Sequence, residues 1–576
     1  MLAGPLFARE WQTVPRRPRF YITRAAYVGL FFVLLWTTWQ AMIGFEREPS
    51  LGEIARFNAV AFELFSYTQL ALVLFAGALF GAGTISIEKD RRTFILLLVT
   101  RLSDSEIILG KFAGALLQVG SVLTASVPVF FAMTLFGGVS FVQVGQVFAA
   151  TVGGAFLTIS LGVLIATWRD KTFQAIALTI LGVALSLLLV ESAVTWASTT
   201  HANSREVNYW AATLSTVRAV ASAVNFNPDD THLILPGVGH LLFGLLFSTL
   251  TLGTSILFLR QWNPRGEPIQ EREVSDATQP GGSGRNIRHA WSNPVLWREI
   301  RTRAYGARPF VIKLSYLIIA GLLLAGLITD PPQQDDPDLA FALARTILPV
   351  GILSLILINA QAVASITTER DLKSLDLLLV TDVTPPEFVF GKLWGICFNI
   401  KEMLVAPLVM FGMAAWMGLL DVPDLIYTSG SFLTLAVFAS VLGIHSGLRH
   451  DTSRSAIVNS LGTIFLLFVG VLICLYLIVI SGRFEAQWAA FVLFIILGSI
   501  GLWISLTANA PSGAITLTAS IAPAATFYCI IAFVVGDRFS PFAVVTATYA
   551  FAVTAMLVPM LSEFDVATGR TSIEGD

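Results

Sequence analysis

Two short clusters of mixed charge interrupt an otherwise apolar chain, and their residue types suit contact by ion pair and charge-assisted hydrogen bond. The first holds Glu88, Asp90, Arg91 and Arg92, and the second, offset by 281 positions, holds Glu369, Arg370, Asp371 and Lys373. Each opens one copy of a repeat, Ile85 to Gly114 and Ile366 to Gly395, in which 12 of 30 positions are identical without a gap. Ser103 and Glu106, like Thr384 and Glu387, have the spacing of a capping box that restarts a helix after the charged cluster. Gly110-Lys111 and Gly391-Lys392 follow, but Phe112 and Leu393 come next, and no GxxxxGK[ST] phosphate loop occurs in the chain. No catalytic residue is therefore assigned, and ATP hydrolysis by this chain is not expected. Cys397, Cys474 and Cys529 all lie in apolar segments, so no disulfide framework or metal site is expected either.

The elements that must position these clusters follow from the flanking pattern. Phe94 to Val99 is apolar but too short to cross a bilayer, so it is expected to lie along the membrane surface as a stiff turn between two spans. Each half of the chain opens with a short amphipathic segment, GPLFAREWQTV at 4–14 and NPVLWREIRTR at 293–303. Arg9-Glu10 recurs as Arg298-Glu299, Asn293 suits an N-cap, and Pro5 and Pro294 suit the first helical position. These read as elbow helices lying in the interface, with arginines reaching the headgroups.

With 55% hydrophobic and 13% charged residues and a mean hydropathy of +0.74, the chain is an all-α, polytopic helical membrane protein. Apolar blocks occur near 22–44, 60–84, 105–136, 141–167, 174–198 and 238–260, then 311–329, 341–367, 386–418, 425–448, 456–481, 488–507, 513–535 and 541–561. If all cross, there are about 14 spans, six and then eight; if the additional pair is one re-entrant hairpin, there are about 12. With the amino terminus inside, 28 of the 36 Lys and Arg residues fall in cytoplasmic segments, so both termini are expected to be cytoplasmic. The polar stretch 262–292 reads as a cytoplasmic linker between a unit at 1–261 and a unit at 293–576. Both units begin inside, which makes them two parallel six-span repeats, the second with an extra hairpin.

The pattern Glu-(Lys/Arg)-x-x-x-(Thr/Ser)-x-x-Leu-Leu-Leu-x-Thr, then (Ser/Thr)-x-x-Glu and Gly-Lys, resembles the coupling region of the type 2 family of ABC exporter permeases. The resemblance occurs twice, each time behind an elbow helix and within a six-span unit. It implies an export permease of the plasma membrane, the bacterial inner membrane, with an unknown substrate and no nucleic-acid partner. It further implies two separate ABC-type ATP-binding subunits that carry ATP and Mg, while this chain binds no cofactor of its own. By that resemblance Glu88, Asp90, Arg91, Arg92, Glu369, Arg370, Asp371 and Lys373 contact those subunits. Where the family commonly has Gly-Thr, this chain has Arg92-Thr93 and Lys373-Ser374.

Ionisable groups inside the apolar blocks are the remaining candidates. Lys401-Glu402 lies some ten residues beyond Lys392, about 15 Å deeper by helical rise, where the first half has Gly120 and Ser121. Two readings stand: the pair lines a transport path, or it is neutralised internally or by a neighbouring helix. Glu63, Glu191 and His240 fall near outer ends and His445 near an inner end, where interfacial solvation is expected. Two further functions fit the pattern: a secondary transporter with parallel repeats, and a membrane scaffold for an ATPase-driven machine.

Overall fold

The computed structural model describes residues 4–16, 18–44, 49–199, 204–226, 234–264, 291, 293–301, 309–329, 331–332, 339–371, 375, 383–450, 452–482, 487–507 and 512–562. The greater part of the 262–292 linker, Lys373, Asp382 and the chain end beyond residue 562 lie outside them. Among the described residues every regular element is a helix. Thirteen helices are long and apolar enough to cross a membrane, or 14 with one bent pair taken as a span, so the chain is a multi-pass helical membrane protein.

The first half runs through α1 (Gly4–Thr13), α2 (Pro18–Met42), α3 (Leu51–Asp90), α4 (Phe94–Val99), α5 (Asp104–Met133), α6 (Phe141–Trp168) and α7 (Thr172–Thr199). Two short helices follow, α8 (Ser204–Leu214) and α9 (Thr216–Val224), before the long α10 (Pro236–Trp262). The second half begins with α11 (Pro294–Arg301), α12 (Pro309–Thr329) and α13 (Leu339–Asp371), then α14 (Pro385–Asn399), α15 (Lys401–Trp416) and α16 (Val422–Arg449). It closes with α17 (Ser453–Ser481), α18 (Gln487–Leu506), α19 (Gly513–Val535) and α20 (Phe539–Ser562).

Several helix boundaries recur at the 281-residue offset of the repeated sequence. Asp90 and Asp371 end α3 and α13, Asp104 and Pro385 open α5 and α14, and Thr172 and Ser453 open α7 and α17. Both ends of α6 and of α16 correspond in the same way. In the first half α10 packs along α6, and in the second α20 packs along α16, which leaves α18 and α19 as the additional hairpin. That hairpin reaches across the molecule: α18 packs on α2, and Tyr27 and Phe31 share an apolar cluster with Phe491 and Phe527.

Lipid tails are as apolar as leucine, so close backbone approach rather than apolar burial selects these neighbours. A Cβ on Gly162 would stand 2.6 Å from the Ala82 nitrogen, and a Cβ on Gly443 would stand 2.5 Å from the Ala362 Cβ. These two glycines again differ by 281 positions, and they set α3 on α6 and α13 on α16. Between the halves, α7 packs on α12 and α13 while α17 packs on α2 and α3, and the Phe75 and Phe465 rings stack with centroids 4.0 Å apart.

Candidate functional site

The first charged cluster sits where α3 stops. Arg92 adopts φ 58°, the one positive φ of a non-glycine residue among the described positions. The Arg92 N–H donates to the Lys89 carbonyl at 3.0 Å and the Thr93 N–H to the Glu88 carbonyl at 2.9 Å, the two bonds of a left-handed helix stop. The chain turns into α4, which buries Phe94 and Leu98, and restarts at Ser103. There the Ser103 N–H donates to Glu106 Oε2 at 2.9 Å while the Glu106 N–H donates to Ser103 Oγ at 3.3 Å. Thr384 and Glu387 make the same reciprocal pair at 3.0 and 3.4 Å.

Most of the cluster's charge is spent on neighbouring helix ends. Lys89 Nζ donates to the Thr167 and Arg169 carbonyls at 2.6 and 3.1 Å, placing a cation at the carboxyl end of α6. Asp90 accepts from the Thr172 N–H at 3.1 Å and hydroxyl at 2.6 Å, placing an anion at the amino end of α7, with Lys171 Nζ 3.9 Å away. Glu88 pairs with Lys111 on α5. The second cluster repeats each contact: Arg370 donates to the Gly447 carbonyl at 3.0 Å and to that of His450, Asp371 accepts from the Ser453 hydroxyl at 2.6 Å, and Glu369 pairs with Lys392 at 2.7 Å. Each cluster therefore ties three helix ends into one rigid corner.

The elbow helices dock against these corners. In the second half Asn293 Oδ1 accepts from the Leu296 N–H at 2.9 Å, and its amide donates to the Glu387 carbonyl at 2.8 Å. Glu299 projects over Gly395, where a Cβ would lie 2.6 Å from its own Cβ, and accepts from Lys392 at 2.6 Å. Arg298 pairs with Glu369 and lies 3.7 Å from Glu299, so four charges balance around a lysine that is 0% exposed. In the first half α1 packs on α5 with Glu10 against Gly114, the position matching Gly395, while Arg9 is exposed.

What remains free to face outward differs from the set expected from sequence. Glu88, Asp90, Glu369, Arg370 and Asp371 are engaged within the chain, whereas Arg91 and Arg92 are exposed beside Leu96 and Val99, which are 67% and 70% exposed. Sequence reasoning missed Leu96 and Val99 as surface residues, because an unbroken apolar run carries no periodicity to tell one face from another. Lys373 lies outside the described residues.

Lys401 and Glu402 do not lie within a continuous helix. The chain breaks at Ile400 and bends by 57° between α14 and α15, so both residues begin a new helix. Glu402 pairs with Lys313 of α12 at 2.9 Å, while Lys401 is exposed with Nζ 4.9 Å from the Phe398 ring centroid. The pair is thus split: neutralisation comes to Glu402 from a neighbouring helix, and both residues border an apolar groove of about 480 Å³ between α12 and α15. His240 and His445 also depart from interfacial solvation. They are 0% and 2% exposed and face the Thr213 and Leu506 carbonyls at 3.1 and 3.2 Å. Gly153 lets α10 press so closely on α6 that the His240 ring is enclosed. Glu191 does meet a surface partner, Arg218 of α9, through two bonds of 2.7 and 2.5 Å.

No family model, curated protein or solved structure matches this chain.

Proposed function

We propose that this chain is the transmembrane permease of an ATP-driven exporter of the ABC type 2 class, with two parallel six-span units fused in tandem. The duplicated corner carries the reading: the same three helix ends are tied by matching charged residues in both halves, at one constant offset. A corner that couples several spans can transmit the movement of a docked partner, which a loosely held loop cannot. Two separate ATP-binding subunits, each holding ATP and Mg, would dock on the two corners from the cytoplasm, with the basic end of the bundle and both termini on that side. Energy from their hydrolysis would then move the halves against each other at the α7–α12 and α2–α17 contacts. The exported substrate is left unassigned.

The outward residues of α4 supply the test. Leu96→Ser with Val99→Ser removes the apolar contact and leaves the inward ties intact, and Arg91→Glu with Arg92→Glu reverses the rim charge. In vesicles containing the chain and its ATP-binding subunits, the serine pair should weaken subunit binding by about tenfold or more, equivalent to roughly 1.4 kcal/mol. The arginine reversal should slow association and alter its salt dependence. Undiminished ATP-dependent transport in both variants would reject the docking role, and full transport with no ATP-binding subunit present would reject the whole reading.

A further inference from the structure

The two elbows carry matching charges in different states. In the second half Arg298, Glu299, Glu369 and Lys392 touch one another around a buried lysine. In the first, Lys111 and Glu88 pair, but Arg9 and Glu10 join no ion pair among the described residues. Between them lies a cavity of about 560 Å³ bounded by α1, the inner ends of α3 and α5, and α17 from the other half.

Its lining has the character of an amphiphile's site. Four bases, Arg9, Arg91, Lys111 and Arg454, face two acids, Glu10 and Glu88. With the Lys111–Glu88 pair set aside, three arginines and one carboxylate are left, an excess that favours an anion. The remaining wall is apolar, formed by Leu79, Phe80, Ile176, Ile457 and Val458. From Arg91 to Leu79 it follows α3 for about 18 Å by helical rise, too far into the bilayer for a soluble protein segment but a natural path for an acyl chain. Arg454 bridges the two regions, with its Cζ 6.0 Å from the Phe80 ring centroid.

We propose that this cavity binds an anionic phospholipid from the leaflet on the side of the duplicated loops. The phosphate is held by Arg9, Arg91 and Arg454, and a chain lies along Leu79, Ile176 and Ile457. Guanidinium groups suit phosphate through their paired, planar donors. In the second half the place of the headgroup is filled by the chain's own Glu299 and Glu369, which explains why one elbow is sealed and the other open. Because Arg454 and Ile457 belong to α17 and the rest of the wall to the first half, the lipid joins the two halves. This proposal is independent of any ATP-binding partner.

The test is native mass spectrometry of the purified full-length chain, delipidated and then given phosphatidylglycerol or phosphatidylcholine of the same acyl composition. The wild-type chain should retain phosphatidylglycerol about tenfold better than phosphatidylcholine. Arg9→Gln with Arg454→Gln should abolish that preference, since each cation near a lipid phosphate contributes on the order of 1 kcal/mol. Gly83→Leu fills the apolar wall without touching a charge, the nearest atom to a Cβ there being Ile87 Cδ1 at 3.3 Å, and should lower retention of both lipids. Equal retention of the two lipids by the wild-type chain overturns the proposal. So does displacement of phosphatidylglycerol by millimolar inorganic phosphate, which would mark a site for a free anion. If the arginine variant does not fold, unchanged retention in Gly83→Leu overturns it alone.

Discussion

Lys392→Met should unlatch the second elbow while its counterpart, Lys111→Met, barely disturbs the first. Lys392 is 0% exposed and lies 2.6 and 2.7 Å from Glu299 and Glu369, whose side chains are 1% and 12% exposed. Removing it leaves two buried carboxylates facing Arg298 alone, and breaking a buried pair in this way costs about 3–5 kcal/mol. Lys111 and Glu88 are 16% and 27% exposed, so water and counter-ions reach both, and losing that pair costs about 1 kcal/mol or less. The elbow can open without global unfolding, so amide hydrogen exchange at Val295–Arg301 reads the effect locally. At about 1.4 kcal/mol per factor of ten, exchange there should accelerate by roughly a hundredfold to a few thousandfold in Lys392→Met. The α1 amides should change less than about tenfold in Lys111→Met. Adding Glu299→Gln to Lys392→Met restores neutrality around Arg298 and Glu369 and should recover much of the protection. Equal acceleration in the two elbows, or no recovery in the double variant, would refute the charge argument.

Two further substitutions probe the corners and the helix contacts. Arg92→Gly relieves a left-handed side-chain conflict of about 1–2 kcal/mol against a glycine entropy cost of about 0.5–1 kcal/mol, so exchange of the Thr93–Val99 amides should slow severalfold; Arg92→Ala, which keeps the conflict, should not slow it, and identical behaviour of the two would dismiss strain at Arg92. Gly162→Val and Gly443→Val each drive side-chain atoms into the neighbouring helix and should destabilise by about 2–3 kcal/mol, seen as a lower melting temperature in detergent, whereas Gly462→Ala, with nothing within 4 Å of a new Cβ, should melt no lower than wild type; a Gly162 variant as stable as the Gly462 control would contradict the packing account.

The number and position of the long helices were legible because apolar length is a local property. All fourteen blocks correspond to described helices, the ninth as the bent pair α14 and α15. The break itself was not legible: Ile400 lies among residues that individually favour a helix, and Pro407 falls beyond it. Helix restarts were legible for the same local reason, since a capping box spans four residues. The partners of Glu88, Glu369 and Arg298 were not, because Arg298 meets Glu369 across 71 residues and Lys111 meets Glu88 across 23. Local spacing cannot specify such pairs. The burial of His240 likewise depends on Gly153 on another helix, so its own surroundings in sequence gave no warning.

The duplication nevertheless held more of the answer than the charge pattern did. Positions retained in both copies, Glu88/Glu369, Asp90/Asp371 and Lys111/Lys392, are those engaged in internal ties, and a tie constrains both of its ends. Positions that changed, Arg91/Leu372, Arg92/Lys373 and Arg101/Asp382, include the residues that the first copy exposes. An inward pair must change together to survive, whereas an outward residue answers only to what docks on it. Divergence between the copies is therefore the better guide to a docking surface, and identity the better guide to the frame beneath it. On the proposed function, the loss of one cation at Leu372 and the reversal at Asp382 give the second corner a less basic face than the first. Two ATP-binding subunits would then bind with unequal dependence on salt, the first corner weakening more steeply as ionic strength rises.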